Sequence, residues 1–454
     1  MAGHLLLRTP HPDRAGSQGR QLAATADPLP QPSETGSHPG AWRGLGGAFW
    51  RLFAAAGVSS LGDGLVLVGF PLLALTVTSD PLLIAGVTVA GRLPALLFSV
   101  PAGALVDRID RRRLVVAVNA VRTLALVGFG ASVLAGADSL PALYATVFLL
   151  GAGDMAFSVA AQAALPGMVA EADLPHANGY LATADVTGSQ FVGPAMAGLA
   201  FSAARSLPFL ADAASFVASG LLVRTALPKG KPRAHQPPFL SDVRDGLRWF
   251  FGHRLLRVLA LVVASLAFCQ AMIFAELVLY GTRQLHLSHV GYGLFFAGAS
   301  AGNIIGSLAA GRIHAWLGPA RCIIAAAVVS GAAYLLLSVT GEPVTATFVL
   351  GLEAVAVAVG NVTTLTLRQR VIPAELLGRV GSAFRLLLYG LIPLGAITGG
   401  VLTSAIGLRG AFRAAGGLQL AVFVVAAPLL IRRIRQTERD FPVSPPPSPA
   451  AGLS

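Results

Sequence analysis

Apolar residues run through this chain in long, nearly unbroken blocks. They do not recur at the 3.6- or 2-residue spacing of a half-buried helix or strand. A helix needs roughly 20 apolar residues to cross a bilayer. Blocks near that length fall at 50–76, 82–104, 114–136, 141–164, 177–203, 207–226, 256–280, 290–313, 320–340, 343–366, 378–404 and 409–431. The pattern predicts an all-α integral membrane protein with twelve transmembrane helices. Residues 1–47 and 433–454 are rich in Pro, Gly and Ser, without apolar period, and read as disordered tails. The first tail lacks the short apolar core and small-residue cleavage site of a signal peptide, so the first span is expected to direct insertion itself.

Composition agrees with a membrane class. The 454 residues are 54% hydrophobic and 12% charged, about half the charge of an ordinary soluble chain. Mean hydropathy is +0.70. The net charge of +12 raises nucleic acid as a partner. However, the basic residues sit in short turns between apolar blocks, with no aromatic-interleaved basic face. Only Cys269 and Cys322 are present, both inside apolar blocks, so neither a disulfide framework nor a metal site is implied.

The arginines set a topology. Turns after even-numbered blocks hold Arg108 to Arg113, Lys229 through Arg257, Arg312 with Arg321, and Arg368, Arg370 and Arg379. The opposite turns hold little beyond Arg205, Arg283, Arg409 and Arg413. Basic short loops stay cytoplasmic, so both termini are expected in the cytoplasm of a plasma (inner) membrane protein. The turn 165–176 carries no Arg and takes its side from its neighbours.

Between the second and third blocks stands Gly103-Ala-Leu-Val-Asp107-Arg108-Ile-Asp110-Arg111-Arg112-Arg113. This Gly-x3-Asp-Arg-x2-Arg-Arg pattern resembles the loop between helices two and three of major facilitator superfamily transporters, with Asp110 where the family usually has a second Gly. Ser189-x3-Gly193-Pro194-x2-Ala197-Gly198 resembles the superfamily's antiporter motif; generic small-residue helix packing is the competing reading. The run from Arg368 through Gly378, Arg379 and Arg385 to Pro393 is similar to the drug and siderophore exporter branch, including enterobactin-exporter and macrolide-efflux types. The resemblance covers residues 48 to 432.

Internal repetition supports two halves. Gln162-Ala-Ala-Leu-Pro166 matches Gln369-Arg-Val-Ile-Pro373, Gly193-Pro194 matches Ile392-Pro393, and Ser307 to Arg312 is a worn copy of the Gly103 turn. The domains expected are a six-helix half over 48–227, a cytoplasmic linker with an amphipathic helix over 228–255, and a second six-helix half over 256–432, arranged as a parallel repeat.

Ionisable residues inside apolar blocks are functional candidates by default. Asp63, Asp154, Glu276 and Glu353 lie in the first, fourth, seventh and tenth blocks; in the superfamily those helices line the central cavity. Arg92 and Arg385 are the candidate counter-charges. From the arginine-rich edge, Asp63 is about 18 Å deep and Arg92 about 22 Å, so Asp63 reads equally as a fixed partner of Arg92 and as a proton-coupling acid. No basic residue of the fourth or fifth block stands level with Asp154, which makes it the first choice for the coupling acid and Glu353 the second. Glu276 is expected near the outer mouth, solvated. Arg122 is expected to snorkel to the cytoplasm, and Asp185 and Asp212 to cap or edge their helices.

The resemblance implies a secondary transporter exporting a small organic molecule by proton antiport with alternating access. Gly103, Asp107, Arg108 and Arg112 would form a conformational latch, and Gly193, Pro194 and Gly198 the antiporter-like element. Proton-coupled nutrient uptake, and a non-transporting membrane sensor, are the alternatives. Nine scattered His and no Gly-x4-Gly-Lys loop argue against an enzyme and against ATP drive. The expected partners are the bilayer, protons and a small-molecule substrate, with no cofactor, no metal and no nucleic acid, and the chain is read as a monomer.

Overall fold

In the computed structural model the described residues are 45–98, 110–170, 173–226, 248–373 and 376–440. Gly103, Asp107, Arg108 and most of the 228–255 linker lie outside them. The helices belong to one compact unit that begins at Gly46. They are α1 (Gly47–Val77), α2 (Pro81–Phe98), α3 (Arg111–Leu134), α4 (Leu140–Ala164), α5 (Leu174–Asp185), α6 (Gly193–Ala203) and α7 (Leu207–Ala226). After the linker come α8 (Arg254–Leu279), α9 (His289–Leu317), α10 (Pro319–Leu337), α11 (Pro343–Val371) and α12 (Leu377–Asp440).

Among the described residues ten helices are long and apolar enough to cross a membrane, and two departures from the expected blocks explain the difference. The fifth block is divided: a π-helical stretch, Val186–Val192, separates α5 from α6. Pro194, in the first turn of α6, has no N–H to return to the preceding turn, and the wider π turn absorbs that gap. The eleventh and twelfth blocks run together in α12, interrupted at Gly407 (φ 76°), a left-handed conformation that glycine adopts without a Cβ penalty. α12 also continues to Asp440, past the expected boundary at 432.

Helix starts are set by polar caps at the turns. Asp80 accepts from Leu82 N at 2.9 Å, Ser288 from Gly291 N at 3.1 Å, and Glu342 from Val344 N at 2.9 Å. Hydrogen bonds from Thr345 and Val344 hold the Glu342 carboxyl below the usual carboxylate range. Asp110, where the superfamily loop usually carries Gly, caps α3 by accepting from Arg113 N at 2.9 Å.

The packing repeats across the linker. In the first half α1 packs on α7, α2 on α4, and α3 on both α4 and α7; in the second α8 packs on α12, α9 on α11, and α10 on both α11 and α12. The halves meet through α6 against α9 and α2 against α12. Glycine makes these contacts close: a Cβ on Gly293 would lie 2.5 Å from the Pro194 carbonyl oxygen, and one on Gly400 2.8 Å from the Leu82 Cα. Both contacts sit toward the arginine-poor end. There the Arg283 guanidinium also donates to the Ser79 carbonyl at 3.2 Å.

Candidate functional site

Arg122 lies midway along α3, roughly 17 Å from either end at 1.5 Å per residue. Its side chain is 1% exposed, so it does not snorkel. α3 packs against α4 and α7, and both neighbours are shaped to take the guanidinium. Gly153 on α4 leaves room for the stem, since a Cβ there would lie 2.9 Å from Arg122 Cδ. Nη2 donates to the Leu150 carbonyl at 2.8 Å and stands 3.7 Å from Asp154 Oδ1. The guanidinium carbon is 4.7 Å from the centre of the Phe216 ring on α7.

Three carboxylates lie near it, and a fourth, Asp185, adjoins two of them. Asp63 on α1 feels the charges of Arg122, Asp154 and Asp185, and Asp212 on α7 those of Asp63 and Arg122. Asp212 is fully buried; Oδ1 accepts from Ser215 at 2.9 Å, and Oδ2 has no hydrogen-bond partner. Gly62 brings α1 directly onto Asp212 and Ser215. Asp185, at the end of α5, accepts from Ser60 at 3.1 Å. The cluster is graded: Asp154 and Asp185 are exposed, Asp63 is half-buried, and Asp212 and Arg122 are enclosed.

Several expectations change here. The cation whose charge acts on Asp63 is Arg122; Arg92 is exposed on α2 and makes no salt bridge among the described residues. Asp154 does have a counter-charge, Arg122 on α3, the helix before its own. Asp185 and Asp212 are members of the cluster, whereas their places near helix ends suggested caps. The two acids of the second half do not join them. Glu353 on α11 is 5% exposed and accepts from Tyr334 at 2.9 Å and Ser330 at 3.3 Å, both on α10, so it is enclosed within its own half and does not line an open cavity. Glu276 on α8 is fully buried, not solvated. Arg385 stands near Arg368 on α12's arginine-rich side and is not beside either acid. Arg112 is half-buried in the first turn of α3.

Gly193, Pro194 and Gly198 make two backbone-to-backbone approaches. Gly193 meets Gly64 of α1, where a Cβ would lie 2.6 Å from the Gly64 Cα; Gly198 meets the start of α9 at His289 and Val290. Within the π stretch, Gln190 Oε1 accepts from Asn303 Nδ2 of α9 at 3.2 Å, a hydrogen bond between the halves. The signal that was missed lies in α3: an Arg spaced to face Gly153 is visible only once α3 and α4 are docked.

Two helical halves of matching packing, joined through the α6–α9 and α2–α12 contacts and holding charged groups at mid-depth, match the arrangement expected of a transporter of the major facilitator type. Its fold is similar to that of the nucleoside transporter NupG, with a TM-score of 0.67 and 13% identity, over 85% of this chain and 99% of that one. A bacterial homologue of the iron transporter ferroportin gives 0.67 at 18% identity, over 85% and 98%. The family profile for transmembrane secretion effectors matches residues 42–449, and the chain belongs to that family. The multidrug efflux pump Tap of Mycolicibacterium fortuitum is 28% identical over 410 residues, 85% of this chain and 96% of that protein. Macrolide efflux protein A of Streptococcus pyogenes is 22% identical, over 86% and 97%.

Proposed function

We propose that this protein exports small organic molecules across the bacterial plasma membrane by proton antiport, with both termini in the cytoplasm. The similarity to Tap and to macrolide efflux protein A over most of each chain supports export of drug-like compounds. The observation that carries the coupling is the graded cluster: Asp154 of α4 pairs with the Arg122 guanidinium, Asp63 of α1 and Asp212 of α7 lie within its electrostatic reach, and Asp185 at the end of α5 adjoins Asp63 and Asp154. Charges at that depth are retained for transport and proton relay far more than for stability.

Asp63 and Asp212 lie within electrostatic reach of one guanidinium, and Asp212 feels the charge of Asp63. Two neighbouring carboxylates with a single counter-charge, one of them fully buried and the other half-buried, do not both stay ionised at modest free energy, so the pair holds one exchangeable proton. Asp154 and Asp185, on the exposed side, pass it to and from water. Protonating the inner pair leaves Arg122 to Asp154 alone, which changes how α1 and α7 sit against α3 and α4, and so biases which face is open. The Gly103–Arg112 turn is assigned the latch role on its resemblance.

Reconstitution into liposomes with an imposed pH gradient and a panel of macrolides and cationic dyes tests this reading. Uphill efflux in the wild type, lost with downhill counterflow kept in Asp63→Asn or Asp212→Asn, is the expected result. Uphill transport that persists in both variants would overturn the assignment of the coupling site.

A further inference from the structure

Glu276 stands apart from the Arg122 cluster, in the other half. Its side chain is fully buried and neither carboxyl oxygen has a hydrogen-bond partner. The Thr403 hydroxyl of α12 lies beside it, buried and equally without a partner. The preceding residue, Ala275, packs with Ala396 of α12 and Ala85 of α2 in a seam of small side chains, with Val89 against it. That seam joins the halves at the arginine-poor end. The charged groups that act on Glu276 are Arg283, on the π turn following α8, and Asp80, ahead of α2 in the other half. Both are exposed: Arg283 is engaged with the Ser79 carbonyl, and Asp80 caps α2. α12 presents the Thr403 hydroxyl.

An ionised carboxylate in this fully buried place would have only the Thr403 hydroxyl beside it and no cation at ion-pair distance among the described residues, which apolar surroundings penalise heavily. A neutral carboxylic acid fits the same space without that penalty. We propose that Glu276 is a second proton site, and that its occupancy holds the α2–α8–α12 seam closed at the arginine-poor end. Loss of the proton creates a charge that only water entering the parted seam can solvate, so deprotonation and opening occur together. The linkage is reciprocal: the closed state binds this proton more tightly by the factor with which the proton favours closure. The proposal rests on the proton-antiport reading only for the physiological source of the proton.

The test is a distance measurement between spin labels at Ala137→Cys and Gly341→Cys, exposed turn positions of the two halves at that end, in lipid nanodiscs. The native Cys269 and Cys322 are buried. In the wild type the short-distance population should dominate at acid pH and decline as pH rises, by at most about tenfold per pH unit for one linked proton. Glu276→Gln, which mimics the neutral acid, should favour the short distance and lose the part of the pH dependence that belongs to Glu276; Asp63→Asn and Asp212→Asn, measured alongside, identify any titration of the Arg122 cluster that remains. A Glu276→Gln profile that titrates like the wild type, or a wild-type distribution unchanged between about pH 5 and about pH 9, overturns the proposal; the second readout needs no variant to fold. Parallel liposome transport separates the two readings. Uphill pumping with no Glu276-dependent titration sinks the seam site alone, whereas a Glu276-dependent titration without uphill pumping upholds it and sinks antiport.

Discussion

Replacing Arg122 with Met keeps a stem of similar reach and removes the guanidinium. The lost interactions can be sized from the geometry. The hydrogen bond to the Leu150 carbonyl at 2.8 Å has a charged donor and contributes about 1.5–3 kcal/mol. The contact with the Phe216 face at 4.7 Å adds about 1–2 kcal/mol when desolvated. The ion pair with Asp154 adds little, because that side chain is 67% exposed and water screens it to under about 1 kcal/mol. Removing the guanidinium also strands the acids packed on its buried side, so the net loss should be about 3–5 kcal/mol. Asp154→Asn should lie within about 1 kcal/mol of wild type. The assay is thermal unfolding in detergent, followed by size exclusion. Arg122→Met should lower Tm strongly and Asp154→Asn barely. Adding Asp63→Asn to Arg122→Met should restore part of the loss, since it removes a charge left without a partner. Equal Tm for Arg122→Met and wild type, or no rescue in the double variant, would refute the idea that Arg122 organises the cluster.

Other consequences are equally direct. Gly193→Ala places a Cβ 2.6 Å from the Gly64 Cα and should destabilise by about 1–3 kcal/mol, whereas Gly417→Ala, with open space around it, should be neutral or stabilising by up to about 1 kcal/mol; Tm separates the two. Tyr334→Phe removes the 2.9 Å hydrogen bond to Glu353 and should lower stability by about 1–3 kcal/mol while leaving the substrate profile of efflux unchanged. An impermeant thiol reagent should label Ala137→Cys in intact cells and Gly252→Cys only after permeabilisation; labelling of Gly252→Cys in intact cells would reverse the orientation that the arginines predict.

The class of protein was legible in the chain because hydrophobic blocks report directly on a bilayer. Block length, Arg-rich turns and the Gly103–Arg113 pattern need no partner helix to be read, and the repeat of Gly193-Pro194 in Ile392-Pro393 showed two related halves. Asp63 and Asp154 stood out in the sequence as candidates, because a carboxylate inside an apolar block is conspicuous on its own. Which groups pair was decided only by tertiary structure. Depth along a helix can be counted, but the direction a side chain faces depends on rotation and on which helix lies next to it. Arg92 and Asp63 stand at similar depth without pairing; Arg122 reaches the cluster because Gly153 makes room on α4. Asp212 lies close to a helix start in the sequence, yet α1 covers it through Gly62. Glu276 lies toward the arginine-poor end of α8, where an acid is ordinarily wet, yet it is fully buried beside Thr403 of α12, next to the seam that Ala275 forms with α2 and α12.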